Sequence, residues 1–477
     1  MDPATLTSPL GARLRLLLLD SPPVNSLGHA LRRRLVEAVD AAEADPACAG
    51  IVIAGAGKLF CAGADAREFG TPASTSPPDL RQVLARLLAC RKPVIAAIHG
   101  AALGGGLELA MACHYRVAAS EARLGLPEVN LGLIPGAWGT QMLPRLTGMD
   151  FAVEMIARGR VISAGTAADV GLVDAVAPPG MIPEAAAAGF FDAVAERSQH
   201  PDVRHRSVRS PEAVEDWLAA HDSRLRAEFP GQPAPVAAVR AIALAATLPF
   251  EEAVRRERQA FVDLMASPES AALRHIFFAE RDSARVPDAK VRPCDAPVAV
   301  VEKPGTADVA RLLADALGPA GDGALRLDLL EPITVSVTGT TVVPARLRAE
   351  GGASSGLALA VRVGRVTCVE VSSTDVAGVA AALGLAERLG ASAVCTPAPA
   401  GDTVLAAVAA SLQDAPTRAS AEERISRTLA KLLAAGCFHR PADGDVLAVH
   451  AFSYPRHRGG PLYQAGLPKH QPGAPRP

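Results

Sequence analysis

The chain has 477 residues, of which 49% are hydrophobic and 21% charged, with a net charge of −2. This length predicts two or three domains, and the balanced charge argues against nucleic acid or an anionic membrane as a partner. No apolar run approaches about eighteen residues, the length needed to span a membrane. The first residues lack the basic-then-apolar order of a signal peptide, so we expect a cytoplasmic protein.

The cysteines occur singly along the chain. None belongs to a CxxC pair or to a His/Cys spacing typical of a metal site. We therefore predict buried free thiols in a reducing compartment, without disulfides and without bound metal. The eight positions are Cys48, Cys61, Cys90, Cys113, Cys294, Cys368, Cys395 and Cys437.

Short apolar strands and an amphipathic helix open the chain. Residues 14–19 and 51–54 read as buried strands, and the second one is stopped by glycines at 55 and 57. Between them, residues 31–42 carry apolar side chains at the spacing of a helix with one buried face. Strand, helix and strand in this order predict layered α/β structure.

Residues 92–148 contain the most informative run of motifs. A buried strand over 94–98 precedes Gly104-Gly105-Gly106, and residues 107–113 then favour a helix with Glu108 in its first turn. Glu128 follows on a loop before an apolar run that ends at Pro135-Gly136. Each feature alone has an ordinary explanation, since glycine triplets form turns and a glutamate complements a helix dipole or is solvated.

Taken together, these motifs resemble one family. The sequences ALGGGLELAMACHYRVAA and LGLPEVNLGLIPGAWGTQ, with GKLFCAGADAREF upstream, are similar to the enoyl-CoA hydratase/isomerase (crotonase) family over roughly residues 10–190. The resemblance implies an α/β fold of repeated ββα units wound into a spiral, with the active site between neighbouring turns. It also implies a CoA thioester as the substrate.

The resemblance assigns roles to backbone groups of two loops. The N–H groups of Ala64 and Gly105 are expected to form an oxyanion hole for the thioester oxygen, where preorganised donors stabilise developing negative charge. The loop that contains Asp65 is expected to lie along the adenine of coenzyme A. The expected substrate contacts are Gly63, Ala64, Asp65, Ala66, Gly104, Gly105 and Trp138.

Two carboxylates suit hydration of a 2-enoyl thioester if their environments separate their pKa values. By resemblance, Glu108 activates the water, Glu128 exchanges the proton at C2, and the N–H of Gly136 contacts the water. Spacing alone does not order the two glutamates. Three alternatives remain: an enoyl-CoA isomerase, which can work with one glutamate, another crotonase-type reaction on a CoA thioester, and a non-catalytic CoA-binding scaffold.

Trp138 departs from the family, whose hydratases often carry small residues after the Pro-Gly turn. The indole either packs the turn as a core side chain or lines the acyl pocket and restricts the substrate. The acyl-chain preference therefore stays open.

The second half of the chain resembles other parts of bifunctional hydratase/dehydrogenases. Residues 248–282 are similar to their linker helix, with Val254, Phe261, Leu264 and Met265 on one face. A strand at 298–301 and a helix at 307–317 then predict a Rossmann start. The turn between them reads EKPGTAD, however, which leaves only Gly305 for the glycine fingerprint of dinucleotide binding.

Segments 357–394 and 439–463 resemble the end of the dehydrogenase half. Only about sixty residues separate the first of them from the strand at 298–301, which is too few for a complete Rossmann domain. We predict a truncated, degenerate dehydrogenase-like region that does not bind NAD. The predicted parts are a crotonase domain at 1–190, a helical cover and linker at 191–290, the degenerate region at 291–463 and a disordered tail at 464–477. We expect a monomer rather than a crotonase-type trimer or hexamer.

Overall fold

The computed structural model describes residues 13–65, 68, 71–285, 291, 293, 298–302, 304–319, 324–348, 354–372, 376–397 and 403–466. The chain divides into two compact units, Met1–Ser267 and Pro268–Pro477. No helix in the described ranges is long and apolar enough to cross a membrane.

The first unit contains eight strands and ten α-helices among its described residues. The strands are β1 (Leu14–Leu19), β2 (Gly50–Gly55), β3 (Val94–Ile98), β4 (Ala101–Leu103), β5 (Tyr115–Ala118), β6 (Arg123–Gly125), β7 (Ile162–Ser163) and β8 (Ala175–Val176). The helices are α1 (His29–Ala44), α2 (Leu80–Leu88), α3 (Gly105–Ala112), α4 (Gly139–Thr147), α5 (Met149–Ile156), α6 (Ala164–Asp169), α7 (Pro183–Val194), α8 (Val214–Glu228), α9 (Pro233–Thr247) and α10 (Phe250–Met265).

A parallel sheet in the order β1-β2-β3-β5-β8 forms the centre of this unit. Every residue of β2 and β3 is buried, as expected for strands covered on both faces. Val52 and Ala54 face a small cluster with α7, whereas Ile51 and Ile53 face the main core. A second sheet, β4-β6-β7, lies beside it, so that the predicted strand–strand–helix repeats and the α/β fold class are confirmed.

The boundary of the first unit differs from the predicted division at residue 190. Helices α8, α9 and α10 belong to the same unit because their apolar faces join the main core. Ile242, Val254 and Leu264 are buried in the cluster that also contains Leu143 of α4. The predicted linker of residues 191–290 is therefore divided, and only the helix after Ser267 belongs to the second unit.

The second unit contains seven strands and seven α-helices among its described residues. The strands are β9 (Val298–Val301), β10 (Leu325–Leu329), β11 (Ile333–Val335), β12 (Thr340–Arg348), β13 (Ser354–Arg362), β14 (Arg365–Ser372) and β15 (Ser392–Thr396). The helices are α11 (Pro268–Ser283), α12 (Ala307–Leu317), α13 (Val376–Arg388), α14 (Val404–Leu412), α15 (Arg418–Ala434), α16 (Pro441–Phe452) and α17 (Pro461–Gln464).

The sheet of the second unit is mixed rather than the parallel sheet of a Rossmann domain. Its order is β15-β14-β13-β12-β10-β9, with β9/β10 and β14/β15 parallel and the strands between them antiparallel. The two-residue turn Val363-Gly364 joins β13 to β14, and both residues have positive φ, 47° and 70°. Such a short connection can join only antiparallel strands. The predicted strand and helix at 298–301 and 307–317 are confirmed.

The thiols in the described part of the chain are free, and the first residue of the predicted tail is helical. Six of the described cysteines are buried and Cys437 is half-buried, whereas Cys294 lies outside the described residues. Gln464, where we placed the start of the tail, is the last residue of α17. Residues 467–477 lie outside the described residues.

Candidate active site

The two loops predicted to form the oxyanion hole lie against each other. A Cβ atom added to Gly105 would lie 3.2 Å from the nitrogen of Ala64, and one added to Gly63 would lie 2.9 Å from the Leu103 carbonyl oxygen. Gly63 also has φ +106°, so glycine is needed there for two reasons. In the part of the chain that the structure describes, neither the Ala64 nor the Gly105 N–H donates to a protein acceptor. Two adjacent donors are thus available at the start of α3.

Glu108 is held in one orientation by a neighbouring turn. Its Oε1 accepts hydrogen bonds from the N–H groups of Ala137 and Gly139, each at 2.9 Å. The side chain is only 2% exposed. Burial raises the pKa of Glu108 to about 7, against the opposing effects of the two N–H donors and of the Arg258 charge. The carboxyl can therefore change its protonation state near neutral pH.

Glu128 begins a 3₁₀ turn, Glu128–Leu131, that faces the glycine triplet. A Cβ atom on Gly104 would lie 2.9 Å from Oε1 of Glu128, and Gly104 has φ +53°. Oε2 of Glu128 is shielded from solvent and has no hydrogen-bond partner among the described residues. Burial, followed by the negative charge of Glu108, raises the pKa of Glu128 well above its ordinary value. The two predicted glutamates are therefore neighbours, and burial raises the pKa of both.

A third buried carboxylate, Glu257 of α10, was not identified from the sequence. Its oxygens accept hydrogen bonds from the N–H of Trp138 at 2.7 Å and from the N–H of Thr140 at 2.9 Å. Burial, and then the charge of Glu108, raises the pKa of Glu257 to about 8. Helical spacing is the signal that could have found it, because Glu257 follows Val254 by three residues and precedes Phe261 by four.

Helix α10 and helix α2 also supply apolar surface beside these carboxylates. A Cβ atom on Gly136 would lie 2.6 Å from the ring of Phe261, and one on Gly105 would lie 2.9 Å from the Leu80 side chain. The guanidinium of Arg258 lies over the Phe261 ring, 5.0 Å from its centre. An aromatic side chain therefore lies against Gly136, the residue whose N–H is expected to contact the water. The N–H groups of the four residues that follow it bind Glu108 and Glu257.

Trp138 packs as a partly buried side chain of the core. Its ring meets that of Phe250 edge to face, with centroids 5.7 Å apart. The residue lies just before α4 and has φ +75°, which is rare for a bulky side chain. These contacts favour the first of the two interpretations of Trp138, packing of the turn.

The loop expected to lie along coenzyme A is anchored at its far end. The Arg32 guanidinium pairs with Glu68 at 3.0 Å and donates to the Ala73 carbonyl at 2.7 Å. The carbonyl of Asp65 accepts from the Glu68 N–H at 2.9 Å. Ala66, a predicted substrate contact, lies outside the described residues.

Comparison with known proteins shows which family this part of the chain is similar to. The model of the enoyl-CoA hydratase/isomerase family matches residues 12–198. The chain is 39% identical over 272 residues to a peroxisomal bifunctional enzyme of Cavia porcellus, an alignment that covers 57% of this chain and 37% of that protein. An alignment of 272 residues is longer than the part of the chain that ends with the family match at residue 198, so it continues into the helices after that residue.

Two further proteins show the same similarity. A probable enoyl-CoA hydratase of Bacillus subtilis is 48% identical over 162 residues, which cover 33% of this chain and 63% of that protein. The crystal structure of an enoyl-CoA hydratase from Mycobacterium avium matches with 30% identity and a TM-score of 0.38, covering 53% of this chain and 94% of that one. The chain thus matches little more than a third of the length of the bifunctional relative. Residues 12–198 form a domain of the enoyl-CoA hydratase/isomerase (crotonase) family, as the order of the sequence motifs predicts.

Proposed function

We propose that this protein adds water across the C2=C3 bond of a 2-enoyl-CoA thioester. The observation that carries the proposal is the combination of two neighbouring buried glutamates with two unengaged N–H donors at the start of α3. Hydration needs a base for water, an acid for C2 and relief of charge on the thioester oxygen. The domain offers one candidate for each of these tasks.

The thioester oxygen is placed against the N–H groups of Ala64 and Gly105. Negative charge grows on this oxygen as water attacks C3, and fixed donors need no reorganisation at that moment. Loss of one such donor typically costs about 3–4 kcal/mol in the barrier. The positive end of the α3 dipole acts in the same direction.

The pKa values favour one division of labour between the glutamates. Glu108, with a pKa of about 7, is the group that can be ionised at neutral pH and take a proton from water. Glu128, whose pKa is raised well above its ordinary value by burial and by the charge of Glu108, is then the acid that gives its proton to C2. The product gains one hydrogen at C2 and one hydroxyl at C3, and the cycle closes when a proton passes from Glu108 to Glu128.

Isomerisation of a 3-enoyl-CoA to the 2-enoyl isomer is the second candidate. Shifting the double bond needs one carboxyl that removes a proton at C2 and returns it at C4. Oε2 of Glu128 suits this role because it has no partner among the described residues and is not fixed by backbone donors, unlike Oε1 of Glu108. The two activities can share one site.

For the second unit we propose that it does not bind NAD, so that the chain lacks dehydrogenase activity. The turn between β9 and α12 has a single glycine, Gly305, at φ +83°, and the first helical turn contains Asp308. Three glycines and a free helix start are what a pyrophosphate needs. We further propose that the chain is a monomer, because α10 of the same chain already covers the site.

The experiment is a spectrophotometric assay of crotonyl-CoA and of a longer 2-enoyl-CoA. Loss of the conjugated thioester absorbance would support hydration, and its appearance from a 3-enoyl-CoA would support isomerisation. CoA-ester binding without turnover of either substrate would contradict both and leave the scaffold alternative. Light scattering that gives the mass of a trimer would contradict the monomer.

A further inference from the structure

Four successive N–H groups after the Pro-Gly turn bind two different carboxylates in alternation. The first and third, from Ala137 and Gly139, donate to Oε1 of Glu108. The second and fourth, from Trp138 and Thr140, donate to the two oxygens of Glu257. The segment 137–140 therefore lies between two buried glutamates and binds both of them through its backbone.

This alternation depends on an unusual backbone at Trp138. The residue has φ +75° and ψ 4°, the left-handed region, which is unfavourable for a bulky side chain. A strained conformation persists only where its surroundings hold it. Glu257 binds the N–H of the strained residue itself and also Thr140, two positions later, through its N–H and its hydroxyl.

We propose that Glu257 is a positioning residue, which holds the 137–140 turn so that the Ala137 and Gly139 N–H groups orient Glu108 for water activation. The inference rests on the proposed hydration. Glu257 has no place in the proton transfers themselves, and its hydrogen bonds reach Glu108 only through the turn. It lies on α10, well outside the stretch of residues 12–198 that matches the family model.

The charged groups around Glu257 are Glu108 of α3, Glu128 of the 3₁₀ turn and Arg258 of α10. The charge on neighbouring α9, Arg240, is paired with Asp222 at the surface. Burial raises the pKa of Glu257 to about 8, so Glu257 is largely protonated at pH 7 and below and adds little charge beside Glu108 there. Removing Glu257 then affects Glu108 mainly by loosening its two N–H donors, and fewer donors to a carboxylate raise its pKa.

The test is Glu257→Gln in the full chain. A glutamine presents an N–H₂ group to at least one of the two backbone N–H donors, so it cannot bind both. We expect kcat for crotonyl-CoA hydration to fall at least about tenfold, with KM and the butyryl-CoA dissociation constant within about twofold. The acid limb of the kcat–pH profile should move to higher pH. An unchanged kcat and pH profile would overturn the proposal.

Two further sets of variants keep the test decisive. Thr140→Val removes the hydroxyl that contacts Glu257 and should show the same changes in weaker form. Thr140→Ser keeps a hydroxyl and should therefore have the kcat and pH profile of the unaltered protein. Glu251→Gln, an exposed carboxylate on the same helix, should leave kcat and the pH profile unchanged. Loss of kcat accompanied by equal loss of butyryl-CoA affinity and no pH shift would show a merely structural role and overturn the proposal.

A measurement without substrate separates this inference from the proposed function. In protein carrying ¹³C-labelled glutamate carboxyls, Glu108 is assigned by the signal lost in Glu108→Gln and titrated by NMR. We expect its pKa to be higher in Glu257→Gln than in the unaltered protein, even if no hydration is found. The same pKa in both would overturn the positioning role, whereas absence of hydration alone would overturn only the proposed reaction.

Discussion

Replacing Gly104 by alanine is expected to lower kcat as well as stability, because the new side chain meets Glu128. The new methyl group would lie 2.9 Å from Oε1 of Glu128, where ordinary contacts begin at 3.4 Å. Glu128 must therefore shift by roughly half an ångström, and a displacement of about 1 Å at a reacting group costs about a hundredfold in rate. We expect kcat to fall about 10- to 100-fold. The backbone at φ 53° and ψ −129° adds about 1–3 kcal/mol of destabilisation.

The matched control is Gly180→Ala. Gly180 also has positive φ, +80°, but a Cβ atom there would have no neighbour within 4 Å. It should lose stability through backbone strain and keep its kcat. Both variants are measured by thermal unfolding and by loss of 2-enoyl-CoA absorbance, with butyryl-CoA affinity as a check on the site. If Gly104→Ala retained the kcat of Gly180→Ala, the placement of Glu128 beside the glycine triplet would be wrong.

Three further predictions concern the same chain. Glu128→Gln should lower hydration about 10²- to 10⁴-fold while leaving butyryl-CoA binding near normal, and unchanged turnover would contradict the role of Glu128. Burial raises the pKa values of Glu108 and Glu257 to about 7 and 8, so the folded state holds their protons more tightly than the unfolded state. Their stabilising effect is complete below about pH 4.5 and is lost as the pH rises through 7 and 8, on the order of 3 kcal/mol for Glu108 alone. The melting temperature should therefore fall between about pH 4.5 and pH 8 and then level off, and a flat or rising curve over that range would contradict these shifts. Finally, fluorescence titration should detect no NADH binding, and micromolar affinity would refute the assignment of a degenerate dinucleotide site.

Local sequence predicted much of the first unit because its strands are short, continuous apolar runs bounded by glycine or proline. The strands at 14–19 and 94–98 have the predicted ends. The glycine triplet, Glu108 and Glu128 could be placed through resemblance, and one strand–turn–helix unit contains the triplet and Glu108, whereas Glu128 follows on a separate turn. The structure adds the physical reason, which is that Gly63, Gly104 and Gly105 leave no room for a side chain.

Contacts between residues far apart in the chain could not be predicted from the sequence. Glu257 lies more than a hundred residues after the turn it binds, and nothing local distinguishes it from the other acidic residues of α10 except its place on the apolar face. The division after Ser267 was missed for a similar reason, because the cover helices join the main core only once the chain has folded back. In the second unit, the Val363-Gly364 turn was overlooked as a signal for antiparallel pairing.

The position of α10 has a practical consequence for anyone who divides this protein into fragments. A fragment cut where the family match ends, at residue 198, would lack the helix whose Phe261 ring lies against Gly136 and whose Glu257 binds the N–H groups of Trp138 and Thr140. It would leave apolar core surface and two backbone donors, the N–H groups of Trp138 and Thr140, open to water. A fragment that ends at Ser267 keeps both side chains. Expression trials, crystallisation and directed evolution of the crotonase part should therefore start from residues 1–267.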